Sequence, residues 1–202
     1  MLIEHEERRP LVHPDAYVAP TAVLSGDVRV GARTRVLFGA VLTDDGGPVE
    51  VGTDCVIMEY AVIRGAPRNP ARLGRHVLLG PHSYVSGAVL SDEVFVASGA
   101  MIFNGARLGR ASSVALGGAV HIGCRLPDEA RVPIGWVAVG DPAQIYSPDD
   151  VEQIREGLTE MGGFFPYVFG TDPDLDRSDT MRIALDRYTA ALGRHRRDIV
   201  ID

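Results

Sequence analysis

The feature that most constrains this chain is a period of six in its aliphatic residues. Each six-residue unit fits one flat face, and three faces form a coil of about 18 residues whose aliphatic side chains stack inside a triangular prism. Strands of a sandwich would instead alternate with a period of two. Coils that stack about 4.8 Å apart predict about seven coils and a prism roughly 34 Å long. The repeating positions are Val12, Val18, Leu24, Val30, Val36, Leu42, Val51, Ile57, Ile63, Leu73, Leu79, Val85, Leu90, Val96, Ile102, Leu108, Val114 and Val120.

Four steps depart from the period, and all four fall at the same corner of the predicted prism. Three steps are lengthened, before Val51, before Leu73 and between Val120 and Val132, and the step after Val85 is shortened. We therefore expect loops over residues 43–50, 64–72 and 121–131 to project from one edge. Function in a solenoid usually lies on the edge that collects insertions.

The repeat divides the chain into three predicted segments: an N-terminal arm over residues 1–11, a β-helix over 12–146 and a tail over 147–202. In the tail, Ser147 before Pro148 predicts an N-cap for a helix that ends near Gly162. Apolar residues at helical spacing predict a second helix over about 178–192. The aromatic stretch over 164–169, which includes Phe165, either packs the tail on the prism or lids a pocket.

Charge and composition limit the partners. The chain has 20 basic residues, all arginine, against 27 acidic ones, and its formal net charge is −7. This balance argues against nucleic acid or an anionic membrane as a partner, and the absence of lysine excludes a lysine nucleophile. Nothing in the sequence approaches a membrane span, and two cysteines are too few for a disulfide framework. We expect a cytoplasmic protein.

Several segments of the repeat region resemble the γ-class carbonic anhydrases. They are residues 36–42 (VLFGAVL), 51–65 (VGTDCVIMEYAVIRG), the run over 79–106, and 132–145 (VPIGWVAVGDPAQI). The shortened step after Val85 is shared as well. The resemblance implies an all-β solenoid, a left-handed parallel β-helix of hexapeptide repeats with a C-terminal helical tail. It also implies a homotrimer with sites between subunits.

In that family the zinc-binding histidines would fall at the positions of Arg64, Pro81 and Ser86. Zinc catalysis needs three ligand groups and an open position for water. An arginine cannot ligate, a proline side chain has no donor atom, and a serine is a poor ligand. We therefore predict no metal at this site and no carbonic anhydrase activity by the usual zinc mechanism, and the sequence leaves open whether the protein is an enzyme.

What remains is a predicted metal-free pocket at a subunit interface that binds or transforms a small molecule. We expect Arg64 to take the place of zinc and to pair with Glu59 of a neighbouring subunit. The candidate catalytic residues are His82, Glu59, Tyr84 and Ser86. The candidate substrate-binding residues are Arg64, Tyr60, Asn104 and Phe165.

Two other functions stay open at this point. Hexapeptide acyltransferases resemble the chain in fold, and residues 136–144 resemble the loop over which they bind coenzyme A. In that case His82 would be the general base. The third alternative is a non-catalytic scaffold trimer. His121 lies in a predicted corner loop, and we expect it to be solvated.

Overall fold

The computed structural model describes residues 1–201 and shows a parallel β-helix with three faces. Each inward aliphatic residue lies beside its equivalent in the next coil: Val12 pairs with Val30, Val18 with Val36, and Leu24 with Leu42. The predicted six-residue repeat and solenoid fold are confirmed.

The strands are short because each face has room for few residues before the chain turns. In chain order they are β1 (Leu2–Glu4), β2 (Leu11–Val12), β3 (Tyr17–Val18), β4 (Val23–Ser25), β5 (Val28–Val30), β6 (Arg35–Val36), β7 (Val41–Asp44), β8 (Val49–Val51), β9 (Val56–Ile57), β10 (Val62–Gly65), β11 (Ala71–Leu73), β12 (Leu78–Leu79), β13 (Tyr84–Ser86), β14 (Val89–Leu90), β15 (Phe95–Val96), β16 (Met101–Ile102), β17 (Arg107–Leu108), β18 (Ser113–Val114), β19 (Ala119–Val120), β20 (Arg125–Leu126), β21 (Arg131–Val132), β22 (Val137–Val139), β23 (Gln144–Tyr146) and β24 (Ile199–Val200).

Three sheets form the three faces. Face 1 is ten-stranded, in the order β23-β22-β19-β16-β13-β10-β7-β4-β1-β24. Face 2 runs from β2 to β20 and face 3 from β3 to β21, each with seven strands. The pairs β22–β23 and β1–β24 are antiparallel, whereas the other ladders are parallel.

The core is the column of aliphatic side chains inside the prism. Leu24, Leu42, Ile63 and Val85 of face 1 are fully buried, as are Ile57 and Leu79 of face 3. No coil could bury these side chains alone, so the coils depend on stacking.

Two of the predicted corner loops exist, and the third does not. Residues 45–48 and 66–70 leave the prism at the corner where face 1 turns into face 2, which we call the loop corner. Residues 121–131 are instead a regular part of the prism, because Leu126 in β20 pairs with Leu108 and is buried. The prediction of a loop over 121–131 is wrong.

The β-helix begins at Leu2, earlier in the chain than the predicted boundary at residue 12. Leu2 pairs with Leu24 in parallel register, so β1 belongs to face 1. Residues 5–10 then form another excursion at the loop corner, closed by the bridge between His5 and Arg8.

The tail is helical. Helix α1 spans Val151–Glu160, α2 spans Phe164–Phe169 and α3 spans Arg177–Leu192, and a 3₁₀ helix follows over Gly193–Arg197. The N-cap of α1 is Asp150, not the predicted Ser147. Asp176 caps α3 by accepting from the Asp179 N–H. The last residue of the predicted tail, 202, lies outside the described residues.

Within residues 1–201, no helix has both the length and the apolar character needed to cross a membrane.

Candidate functional site

A cavity of about 650 Å³ lies between the loop-corner end of face 1 and the tail. The β-helix supplies its floor through β10, β13 and the turn after β16, and α2, α3 and the 3₁₀ helix supply its roof. The described residues that line it are His5, Asp45, Arg64, Gly65, Ala66, Pro67, Arg68, Asn69, Tyr84, Ser86, Phe103, Asn104, Phe164, Tyr167, Val168, Phe169, Gly170, Arg187, Tyr188, Ala191, Leu192, Arg194 and His195.

Arg64 and Ser86 lie side by side in this floor. They are paired in register on β10 and β13. Together with Tyr84 and Asn104, they are the four predicted site residues that the structure brings to one cavity.

Arg64 links the β-helix to the tail. Its Nε lies 2.7 Å from Asp45 Oδ2, its Nη2 contacts the same oxygen, and Nη2 also donates to the Tyr188 hydroxyl at 2.6 Å. Burial by itself lowers the pKa of Arg64, but the hydrogen bonds to Asp45 and Tyr188 outweigh it and raise the pKa above its ordinary value. The guanidinium therefore stays charged in the cavity wall.

Within the chain, Arg64 pairs with Asp45 and not with Glu59. Asp45 follows β7 directly and reaches Arg64 because residues 43 and 64 are neighbours in the face 1 ladder. A compensating carboxylate thus comes from the same chain, and the pair with Glu59 of a neighbouring subunit stays a prediction.

Two buried polar side chains in the cavity wall have no protein partner. Ser86 is 6% exposed and Asn104 is 8% exposed. Neither side chain hydrogen-bonds to any atom within residues 1–201, although both line the cavity. Their polar atoms reach the open space of the cavity, where they are free to bond a polar group of a ligand.

Aromatic rings cover the rest of the wall. Phe103 on the β-helix meets Phe164 of α2 at a ring distance of 6.2 Å, and Phe169 meets Tyr188 of α3 at 5.7 Å. The predicted residue Phe165 does not line the cavity. It packs against Phe164 and Phe169, at 5.7 and 5.8 Å.

The other three predicted residues lie away from the cavity, at the corner where face 3 turns into face 1. Tyr60 and His82 occupy equivalent left-handed turn positions, with φ of 57° each, and their rings stack 5.1 Å apart. Glu59 precedes Tyr60 in the same turn, and its carbonyl accepts from the His82 N–H. Within one chain, His82 and Glu59 are therefore separated from Ser86 and Arg64.

His121 is not solvated as predicted. It is half-buried and stacks on Phe103 at 5.4 Å, and its Nδ1 accepts from the Ile122 N–H at 2.8 Å. Burial lowers the pKa of His121.

Sequence reasoning missed a polar cluster at the edge of the cavity. His5 Nδ1 lies 2.6 Å from Asp198 Oδ1, and His195 Nδ1 lies 2.9 Å from Asp198 Oδ2. Burial disfavours the charged forms here, but the hydrogen bonds from His5 and His195 prevail and lower the pKa of Asp198. Burial likewise opposes the charge on His195, yet Asp198 and Asp45 raise its pKa. No spacing in the sequence predicts this cluster, because it forms only when β24 pairs with β1.

A zinc ion does not fit the positions that the family resemblance implies. Arg64 is committed to Asp45 and Tyr188, Pro81 offers no side-chain donor, and Ser86 alone is a poor ligand. Pro81 also does not line the cavity.

The repeat and its stacking define a hexapeptide-repeat β-helix protein. No family model matches the chain. A hexapeptide transferase family protein from Anaplasma phagocytophilum superposes with a TM-score of 0.50 at 18% identity, over 96% of this chain and 97% of that one. UDP-N-acetylglucosamine O-acyltransferase from Moraxella catarrhalis gives a TM-score of 0.54 at 18% identity, over 93% and 88%. At these identities the likeness shows the fold, which is the left-handed β-helix.

Relatives in sequence identify the family within the hexapeptide-repeat β-helix proteins. Gamma carbonic anhydrase 1, mitochondrial, of Arabidopsis thaliana is 30% identical over 154 residues, 73% of this chain and 54% of the relative. Carbonic anhydrase of Geobacillus kaustophilus is 23% identical over 171 residues, 82% and 91%. Carnitine operon protein CaiE of Salmonella agona is 31% identical over 136 residues, 67% and 66%. The chain belongs to the γ-carbonic-anhydrase-like hexapeptide-repeat family. It spans about half the length of the Arabidopsis relative.

Proposed function

We propose that the protein binds a small organic anion in the cavity between face 1 and the tail. The observation that carries this proposal is the pair of buried side chains, Ser86 and Asn104, which line the cavity without a protein partner. A bound carboxylate or carbonyl oxygen would satisfy both groups, and the loss of their hydration would then be repaid.

The charge of the wall favours an anion. Four arginines and two histidines line the cavity, whereas Asp45 is the single carboxylate among the described lining residues. Asp45 is neutralised by Arg64, whose Nη1 has no acceptor within residues 1–201. Arg68 is exposed at the rim and has no ion pair in the same part of the chain. Two guanidinium groups are thus available to a ligand carboxylate or phosphate.

The aromatic wall favours an apolar group attached to that charge. The cavity volume of about 650 Å³ is within the range of small-molecule sites. Part of its wall is formed by the rings of Phe103, Phe164, Phe169 and Tyr188. A carboxylate with an aromatic or short aliphatic body matches this combination.

We further propose a homotrimer. Support comes from the corner between faces 3 and 1, where large apolar side chains are exposed: Phe38 at 49%, Leu116 at 51%, Ile134 at 69%. Tyr60, Glu59 and His82 lie on the same corner. In a trimer of the kind that the family resemblance implies, this corner would reach the Arg64 side of a neighbour, and His82 and Glu59 would act there.

Two alternative functions remain, an acyltransferase and a scaffold trimer, and no contact within the chain favours either. A coenzyme A-dependent acyltransferase would need His82 at the reacting group, and because the ring is stacked on Tyr60 outside the cavity of its own chain, only the proposed trimer could bring it there. A scaffold trimer would not need unpartnered polar groups such as Ser86 and Asn104 in a cavity. A cytoplasmic location remains a prediction from the sequence.

Calorimetric titration tests the anion proposal. Benzoate and hexanoate are compared with their uncharged counterparts, benzyl alcohol and hexanol, and we expect only the acids to bind. Ser86→Ala and Asn104→Leu should each weaken binding by roughly 10- to 150-fold, because a hydrogen bond to a charged group contributes about 1.5–3 kcal/mol.

Ser91→Ala is the matched control, since Ser91 is a partly buried serine at the corner where face 2 turns into face 3, away from the cavity and from the proposed interface. Equal binding of the acids and the alcohols would contradict the proposal, as would unchanged affinity in Ser86→Ala and Asn104→Leu. In that event the scaffold alternative is favoured, and the mass of the assembly by light scattering tests the trimer separately.

A further inference from the structure

The two ends of the chain build a cluster that neither end contains alone. In the antiparallel pair of β1 and β24, Glu4 lies opposite Ile199, so the next residues along the two strands, His5 and Asp198, face each other. The 3₁₀ helix places His195 beside them, and the rings of His5 and His195 stack 4.3 Å apart. One ligand atom from each of His5, His195 and Asp198 lies within 4.8 Å of the other two.

Both histidines of this cluster have a carboxylate on each side of the ring. A neutral imidazole carries one proton, on one of its two nitrogens. His195 lies between two carboxylates, because its Nδ1 faces Asp198 and its Nε2 is 3.3 Å from Asp45 Oδ1. His5 is placed in the same way, with Nδ1 facing Asp198 and Nε2 3.9 Å from Glu6 Oε2. A neutral ring donates on one side, so the other side calls for either a second proton or a metal ion.

The carboxylates around the two histidines differ in their ion-pair partners. Asp45 is paired with Arg64, and Glu6 is paired with Arg8 and Arg194. Asp198 differs, because its ion-pair partners within residues 1–201 are the two histidines. Its carboxylate is mostly buried, and a positive charge beside it would offset the cost of that burial.

We propose that His5, His195 and Asp198 bind a divalent transition-metal ion, with zinc as the best match. Both Nδ1 atoms and one carboxylate oxygen are the ligands, a set of nitrogen and oxygen donors that suits Zn²⁺ and leaves a fourth position open. Ligand atoms about 2 Å from a tetrahedral ion lie about 3.3 Å from one another. The distances from the two Nδ1 atoms to the Asp198 carboxylate therefore lengthen slightly on binding.

The contacts of the two Nε2 atoms are compatible with a metal bound to the Nδ1 atoms. With the metal on Nδ1, each ring proton moves to Nε2, where Asp45 accepts from His195 and Glu6 faces His5. A carboxylate on the far nitrogen of a metal-bound histidine is the usual way in which the ring is oriented. His5 and His195 also line the cavity, so a metal bound here would lie at its edge.

This site shares no residue with the zinc positions that the family resemblance implies, and it does not depend on the proposed anion binding. The predicted absence of a metal at Arg64, Pro81 and Ser86 is unaffected by it. A metal at the edge of the same cavity would add a Lewis-acidic centre beside the arginines.

Metal binding by the full-length protein tests the proposal. The chain is stripped with a chelator and dialysed against Zn²⁺, and the bound metal is counted by plasma mass spectrometry. We expect about one zinc per chain and a thermal midpoint that rises with added Zn²⁺. Asp198→Asn and His195→Gln should each weaken binding at least tenfold, and Co²⁺ should give a visible spectrum that these variants lose.

His76→Gln is the matched control, because His76 is an exposed histidine 3.9 Å from the carboxylate of Asp54. It should bind zinc as the unmodified protein does. Both test substitutions are at partly exposed positions, and circular dichroism verifies their fold. Zinc far below one equivalent would overturn the proposal, as would equal affinity in Asp198→Asn or ring NMR signals that show both Nδ1 atoms protonated in the presence of zinc.

Discussion

The β-helix and the tail are stabilised in different ways. Inside the prism, residues such as Ile57, Leu79 and Ile102 are fully buried and lie between their own equivalents in adjacent coils. In the tail, α1 and α2 have no buried residues, and α3 buries only Ala184. The tail is attached instead by the backbone pairing of β24 with β1 and by side-chain contacts with the loop corner, such as the hydrogen bond between Arg64 and Tyr188.

This difference separates stability from recognition. The prism contains most of the buried apolar surface, which is the dominant favourable contribution to folding. The cavity forms where the weakly packed tail covers the polar end of face 1, and elements of low local stability are the ones that open for ligands. Three measurements test whether the β-helix and the tail differ in stability in this way.

The largest effect is expected from Leu79→Ala in the core of the prism. Removing a fully buried leucine side chain should lower the free energy of unfolding by about 2–5 kcal/mol. Leu185→Ala in α3 is the control, because Leu185 is exposed, and it should change the value by less than about 0.5 kcal/mol. Urea unfolding at one protein concentration measures both. Similar losses in the two variants would remove the distinction between the regions.

A smaller and more local effect is expected from Gly105→Ala. Gly105 has φ of +78°, and a β-carbon there would overlap the Tyr167 hydroxyl of α2. Gly117 has a similar φ of +63° but open space around it. Both alanine variants should lose about 1–3 kcal/mol from backbone strain, whereas only Gly105→Ala should displace the tail.

Limited trypsin digestion distinguishes the two glycine variants. Arg177, Arg182 and Arg187 in α3 should be cleaved several-fold faster in Gly105→Ala than in Gly117→Ala. Equal cleavage rates would mean that Tyr167 does not anchor the tail to the β-helix.

The smallest expected change is in the reactivity of the two thiols. Cys55 and Cys124 are buried inside the prism. Burial raises the pKa of Cys124 to about 12, with the charge of Asp141 acting in the same direction, and burial also raises the pKa of Cys55. Neither should react with Ellman's reagent at pH 8, and Gly105→Ala should not change this. Leu79→Ala should speed the reaction tenfold or more, and fast labelling in Gly105→Ala would show that the two regions open together.

The fold could be predicted from the sequence because its core repeats. Each aliphatic residue from Val12 to Val120 faces inward as the period of six requires, since stacking gives every coil the same neighbours. The prediction failed over 121–131 because Leu126 was not recognised as the next member of the series. The structure has a regular turn of the β-helix where the sequence pattern predicts a loop.

Half of the candidate site could be predicted, and the reason is again periodicity. Arg64, Tyr84 and Ser86 lie on adjacent strands of face 1, so their proximity follows from the register. The cavity roof does not repeat, and His5 meets Asp198 only through the pairing of the two chain ends. Such contacts between distant segments leave no local pattern in a sequence.

The reversed direction of β24 and β23 has a consequence for solubility. A β-helix ends in coils whose unpaired N–H and C=O groups invite further strands, and identical molecules could add end to end into fibres. On face 1, β24 covers the first coil and β23 covers the last, each running against the strand that it joins. The two antiparallel strands thus act as end caps that block growth along the prism axis on this face.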